Sequence, residues 1–197
     1  ALVPNQGAQE REPVVEVLPE GVESQEETLE SMIQTNRSRE DQVAEEWYAE
    51  MSSTKEKVLL TSQDGLELVG HTFLQEEETN HWAVLSHGYQ ATEESMHTTA
   101  RRYYEEGYNV LTYAQRAMDE SEGQYITMGI NESEDLIIWL QELLEKHPQA
   151  EIVTHGVSMG AATVLMASGQ AEFPEAVKAV IADCSYSSVW AVFESEL

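Results

Sequence analysis

Glu151-Ile-Val-Thr-His-Gly-Val-Ser-Met-Gly160, followed by the small residues Ala161, Ala162 and Thr163, is the stretch that decides the fold. A short β-branched strand runs into Gly156-Val157-Ser158-Met159-Gly160, and a helical pattern begins at once. This is the Gly-x-Ser-x-Gly pattern of a nucleophile elbow. A serine on so sharp a strand-to-helix turn takes a strained backbone conformation that lifts its hydroxyl clear of the sheet. Side chains two positions away on either side would collide, so glycine is needed there. The helix starting at Met159 aims its first N–H groups at the same spot, where they can hold an anion. Ser158 is therefore the candidate nucleophile, and the Met159 backbone N–H a candidate oxyanion donor.

Working outward, strands and helices alternate. Lys57 to Ser62 and Leu66 to Leu74 read as strands joined at Gln63-Asp64-Gly65, where Asp-Gly signals a hairpin. Trp82 to Ser86 reads as a buried strand, Ser95 to Glu106 as a helix stopped by Gly107, and Asn109 to Tyr113 as a fourth strand. A helix over Glu132 to Lys146 ends at His147-Pro148, and a further strand spans Lys178 to Ala182 beyond the elbow helix, Met159 to Gly169. Such alternation predicts an α/β class fold, a mostly parallel sheet flanked by helices. The core is expected over residues 55–197. It is preceded by an acidic amphipathic helical segment over 23–54 and a proline-rich flexible tail over 1–22.

Charge narrows the partners. The 197 residues hold 10 Lys+Arg against 37 Asp+Glu, a net charge of −27, which disfavours nucleic acid and anionic membranes. The acid is mostly Glu spread over helical segments, as on a solvated face. One cysteine, Cys184, excludes an internal disulfide, and its setting in AVIADCSY predicts a packed core thiol rather than a nucleophile. No histidine pair stands at zinc-binding spacing and there is no phosphate-binding glycine loop, so neither a metal nor a cofactor is expected.

The other informative motif is Ser86-His87-Gly88-Tyr89. Acyl transfer needs two donors aimed at the developing oxyanion, and one usually comes from the loop after the third strand. The Tyr89 backbone N–H is the expected partner of Met159. His87 reads as a brace for this loop rather than a base, and His155 as a core histidine just ahead of the elbow.

From Trp47 on, the motifs SQDGLELVGHTF, VLSHGYQATEESM, EEGYNVLTY, ESEGQYITMG, HGVSMGAATVLMASG and IADCSYSS together resemble the α/β-hydrolase superfamily. They are most similar to bacterial, often cell-surface or membrane-anchored, serine hydrolases related to the S9/S33 peptidases and esterases. The resemblance covers about 150 residues. It implies an α/β-hydrolase fold lacking its last two strands, a small-molecule ester or peptide as substrate, and an extracellular or cell-surface location rather than a cytoplasmic one.

The sequence departs from the family in two places. The loop usually written Asp-x-Arg-x-His-Gly-x-Ser-x-Gly reads Ala114-Gln115-Arg116-Ala117-Met118-Asp119-Glu120-Ser121-Glu122-Gly123, which keeps the arginine, the serine and the last glycine. Replacing the first glycine by Asp119 is expected to strain or reshape it. The family also places its acid and then its histidine after the elbow, yet no histidine follows Ser158. A serine hydroxyl is a poor nucleophile until a base takes its proton. Asp183 is a candidate displaced acid, though a structural role in its loop is the preferred reading. The chain is expected to be the N-terminal part or a truncated form of a serine hydrolase of ester or amide bonds. The alternative is a non-catalytic binding protein with a vestigial site. An uncovered sixth strand would also favour self-association through the sheet edge.

Overall fold

The computed structural model describes residues 25–190 and 194, so the expected tail over 1–22 lies outside the described residues. Residues up to Arg39 form one unit and those from Glu40 a second. A long helix, α1 (Gln25–Met51), carries the boundary within it. Among the described residues no helix is long and apolar enough to cross a membrane.

The second unit is built on six strands, β1 (Glu56–Thr61), β2 (Glu67–Phe73), β3 (His81–Ser86), β4 (Asn109–Tyr113), β5 (Glu151–Val157) and β6 (Val177–Asp183). Their spatial order is β1-β2-β4-β3-β5-β6. The first two pairings, β1 with β2 and β2 with β4, are antiparallel, and the other three are parallel. The sheet is therefore mixed, with its parallel part where the elbow lies. The short Ser62–Leu66 turn enforces the antiparallel start: Gly65 takes φ +85°, Ser62 Oγ donates to Asp64 Oδ1 at 2.6 Å, and Leu66 N–H donates back to Ser62 Oγ at 2.8 Å.

Alternation along the strands feeds two layers. On one face Trp82, Val84, Leu111 and Ile152 pack against Leu136, Trp139 and Leu140 of α3 (Ile130–Lys146) and Val164 of α4 (Met159–Ser168). On the other, Ala83, Leu85, Val110 and Phe73 meet Ala100 of α2 (His97–Glu105), Met96 and Trp47 at the end of α1. A 3-10 turn over Glu93–Met96 precedes α2, where the sequence predicts a single helix from Ser95. The turn exists because Glu93 is drawn inward. Its carboxylate pairs with His71 Nδ1 on β2 at 2.9 Å and accepts the Thr112 hydroxyl of β4, so a buried charge has both a cation-capable partner and a hydrogen bond.

His97, the next residue along, is stacked on Tyr48 at 3.8 Å between ring centroids and is buried. Burial lowers its pKa from 6.5 to about 4; the nearby Glu93 charge raises it, while Lys55 and His71 lower it further. The folded state thus binds fewer protons here than the unfolded chain, so stability is full above about pH 6.5 and falls as pH drops toward 4. The loss over that window is about 3 kcal/mol. Urea melts at pH 7 and pH 4.5 are expected to show a shallower acid dependence in His97→Phe, which keeps the ring stack but does not titrate.

Cys184 corrects the sequence reading. It is exposed, not packed in the core. The reason is topological: among the described residues β6 pairs with β5 on one side and with no strand on the other, so the apolar run that suggested burial lies on a largely exposed strand. The thiol pKa is raised by its hydrogen bond to Asp183 and that group's charge, which keeps the sulfur protonated and weakly nucleophilic.

Candidate active site

Ser158 occupies the single residue between β5 and α4, with φ 54° and ψ −113°. An L-residue is sparsely tolerated there, at a cost of about 1–3 kcal/mol. Its backbone is held from both sides: Ser158 N–H donates to Asp183 O at 2.8 Å, and Ser158 O accepts Ala162 N–H at 3.2 Å. The side chain is exposed, and among the described residues nothing hydrogen-bonds to its hydroxyl.

The glycines two positions either side are explained by contacts. A Cβ on Gly156 would lie 2.1 Å from Gly160 O, and one on Gly160 would lie 2.0 Å from Ser86 O and 2.6 Å from His87 O. The turn closes on itself and then presses against the end of β3. That second contact sets the chain leaving β3, which carries Tyr89, against the first turn of α4, which carries Met159. A Cβ on Gly88 would be 3.4 Å from Ser158 Cβ. Tyr89 follows, half exposed, and Met159 is fully buried at the first turn of α4. Among the described residues neither backbone N–H donates to another group. Two amides without a hydrogen-bond partner among the described residues thus lie on the two segments next to an exposed hydroxyl, one of them at a helix N-terminus, where an anion is favoured.

The loop carrying Tyr89 is fixed by His87, whose ring is buried. Its Nδ1 donates to Gly88 O at 2.9 Å and its Nε2 accepts Gln115 N–H at 3.0 Å. Both ring nitrogens are engaged, and burial holds the pKa below the ordinary histidine value, so the ring is neutral and acts as a brace. The Gln115 side-chain amide donates to His87 O, and Thr163 Oγ1 of α4 lies 3.3 Å from Gln115 Oε1. Sequence reasoning missed Gln115. It is an unremarkable residue two positions past the end of β4, and only the strand order puts it beside His87.

The remaining histidines do not reach Ser158. His71 is paired with Glu93, His97 is stacked on Tyr48, and His147 packs on Trp82. His81 is near Glu151 at 3.6 Å. His155, half-buried rather than fully in the core, has Nδ1 3.3 Å from Tyr103 Oη, and burial lowers its pKa. Asp183, the candidate displaced acid, is exposed; its backbone carbonyl holds the Ser158 amide, while its carboxylate accepts from the Cys184 thiol. Among the described residues no group of three or more His, Cys, Asp or Glu is placed to hold a metal ion.

The variant loop after β4 keeps its frame. Asp119, standing where the family has its first glycine, takes φ 50°, and Ala117 takes φ 59°. The strain expected from the sequence is therefore present, in a residue type that tolerates the left-handed region better than most. Ser121 Oγ, 2.7 Å from Ala114 O and 2.9 Å from Val69 N, pins the loop to β2. Arg116 is buried and grips Asp135 of α3 through two 2.7 Å bonds and Asp64 of the first hairpin through bonds of 2.9 and 3.2 Å. The Arg116 guanidinium holds the Asp64 carboxyl below the usual carboxylate range. Gly123 takes φ +135°, and a Cβ there would meet Ala117 N at 2.7 Å, so the retained last glycine is required.

Comparison with known proteins bears on this arrangement. The curated proteins contain no match to the chain. Among solved structures, an esterase of Pyrococcus furiosus is 26% identical with a TM-score of 0.61, over 66% of this chain and 51% of that one. A serine hydrolase homologue from Coxiella burnetii is 22% identical with a TM-score of 0.51, over 59% of this chain and 58% of that one. A Xanthomonas campestris serine hydrolase described as having no lid is 21% identical, with a TM-score of 0.52, over 72% and 77% of the two chains. The last two show the fold alone, and this chain spans about half the length of the Pyrococcus esterase. A family model described as the alpha/beta hydrolase fold matches residues 68–196, from β2 through the elbow and past β6. With that model covering more than half of the sequence, the chain belongs to the alpha/beta hydrolase family.

Proposed function

We propose that the protein is a serine hydrolase of ester or amide bonds that acts through an acyl-enzyme on Ser158. The observation that carries this reading is the backbone of Ser158. A conformation at φ 54° and ψ −113° is retained on a turn that gains nothing structurally from a serine hydroxyl. Strain of this kind is expected where it serves chemistry. Ser158 Oγ attacks the carbonyl carbon as a base removes its proton. The carbonyl oxygen becomes an oxyanion held by the Tyr89 and Met159 N–H groups. Collapse expels the alcohol or amine, and water then hydrolyses the acyl-serine by the same route. The likeness to the Pyrococcus esterase favours esters. The reading places the base outside the six histidines of residues 1–197, none of which bonds to Ser158 among the described residues.

That last fact favours a second reading, a non-catalytic member of the family that binds through a vestigial site. A fluorophosphonate probe separates the two. Mapping of the labelled full-length protein is expected to place the phosphonyl group on Ser158. An unlabelled protein, or a label elsewhere, supports the binding protein instead. A survey with short-chain nitrophenyl esters and aminoacyl nitroanilides then divides esterase from peptidase.

A further inference from the structure

We infer that Gln115 is a positioning residue that sets the spacing of the two oxyanion donors; the inference rests on the reading of Ser158 as a nucleophile. The two donors come from different elements, Tyr89 from the loop after β3 and Met159 from the start of α4. A tetrahedral oxyanion accepts from both only if their separation is held to a fraction of an ångström. Gln115 is the side chain that touches both supports. On the loop side its backbone N–H donates to His87 Nε2 at 3.0 Å and its side-chain amide donates to His87 O, so the residue two positions before Tyr89 is gripped at ring and backbone. On the helix side Gln115 Oε1 faces Thr163 Oγ1 at 3.3 Å, and the same hydroxyl lies 3.0 Å from the carbonyl of Met159. Its single hydrogen is shared between these acceptors.

The amide orientation is settled by this arrangement, because His87 O can only accept and Thr163 Oγ1 can supply a hydrogen. Gln115 and Thr163 are both buried, 2% and 0% exposed, so water does not compete for these bonds. The bridge therefore runs from the loop of one donor to the first turn of the other through one residue that need not touch substrate. Loss of it leaves the Gly160 contact with Ser86 O and His87 O to join the two elements, and the loop beyond that contact gains freedom relative to the helix. The ground-state complex changes little, whereas the transition state loses aligned donors.

The test uses the full-length protein with Gln115→Met, which fills the same space without the amide, and Thr163→Val as a second variant should the first fail to fold. Active sites are counted by phosphonate titration, so misfolded protein does not enter the rate. Gln115→Met is expected to lower kcat per titrated site about 10- to 100-fold, with KM within about threefold. Affinity for a boronic acid that mimics the tetrahedral intermediate is expected to fall by a similar factor. Thr163→Val is expected to lower kcat about 3- to 10-fold, with little further loss in the double variant, because both changes cut one bridge. A kcat per titrated site within twofold of wild type, with boronate affinity unchanged, overturns the inference and leaves Ser158 as nucleophile intact. A wild-type protein that takes no phosphonate overturns both.

Discussion

Ser158→Ala is expected to lower turnover of a short-chain nitrophenyl ester by at least about 10⁴-fold, the scale on which triad members matter in serine hydrolases. The loss is chemical rather than structural. The Ser158 hydroxyl is exposed and makes no hydrogen bond among the described residues, and the backbone amide and carbonyl that fix the turn are kept by alanine. Thermal stability is therefore expected within about 0.5 kcal/mol of wild type. Ser158→Gly is equally inactive but more stable, by about 1 kcal/mol, because glycine occupies φ 54° without a Cβ penalty. Turnover and unfolding midpoints measured on the two variants check both halves. Retention of more than a tenth of the wild-type rate by either variant would sink the assignment of Ser158.

The second large effect is on the fold. Gly160→Ala is expected to destabilise the protein by about 3 kcal/mol or more and to abolish activity in whatever remains folded. Helix propensity alone points the other way, favouring alanine over glycine within a helix by about 1 kcal/mol. Packing decides the sign. The added carbon would sit 2.0 Å from Ser86 O and 2.6 Å from His87 O, both backbone atoms at the end of a central strand that cannot swing aside. Relief requires α4 to lift off β3, which separates Met159 from the loop that carries Tyr89. Gly169→Ala is the control. Its Cβ would lie 3.6 Å from Met166 O, an ordinary contact, and its stability is expected to stay within about 0.5 kcal/mol of wild type. Equal denaturation midpoints for the Gly160 and Gly169 variants would contradict the packing argument.

The elbow pattern was legible because its physics is local. Glycine spacing, a β-branched run and small residues after the serine constrain one turn, and the turn constrains what can surround it. Strands came through well for the same reason, and Asn109–Tyr113 matches its expected bounds. What stayed hidden depends on pairing between distant segments. Nothing near Glu93 in sequence announces His71 or Thr112, whose bonds turn the start of the α2 region into a 3-10 turn. Nothing near Cys184 announces that β6, the strand just before it, has one neighbour instead of two among the described residues. The antiparallel pairing of β1 with β2 follows from the Ser62–Leu66 turn, which the Asp-Gly signal did announce. Gln115 carried no signal at all, since glutamine in a loop is ordinary until the strand order sets it beside His87 and Thr163.

The locked His87 ring also bears on how the loop that carries Tyr89 responds to acid. With its Nδ1 proton committed to Gly88 O, its Nε2 lone pair committed to Gln115 N–H and its pKa lowered by burial, this imidazole is held in the neutral form more firmly than a free histidine. Protonating the ring would have to break the Gln115 N–H bond, so the loop that carries Tyr89 is expected to keep its hydrogen bonds as pH falls through the ordinary histidine range.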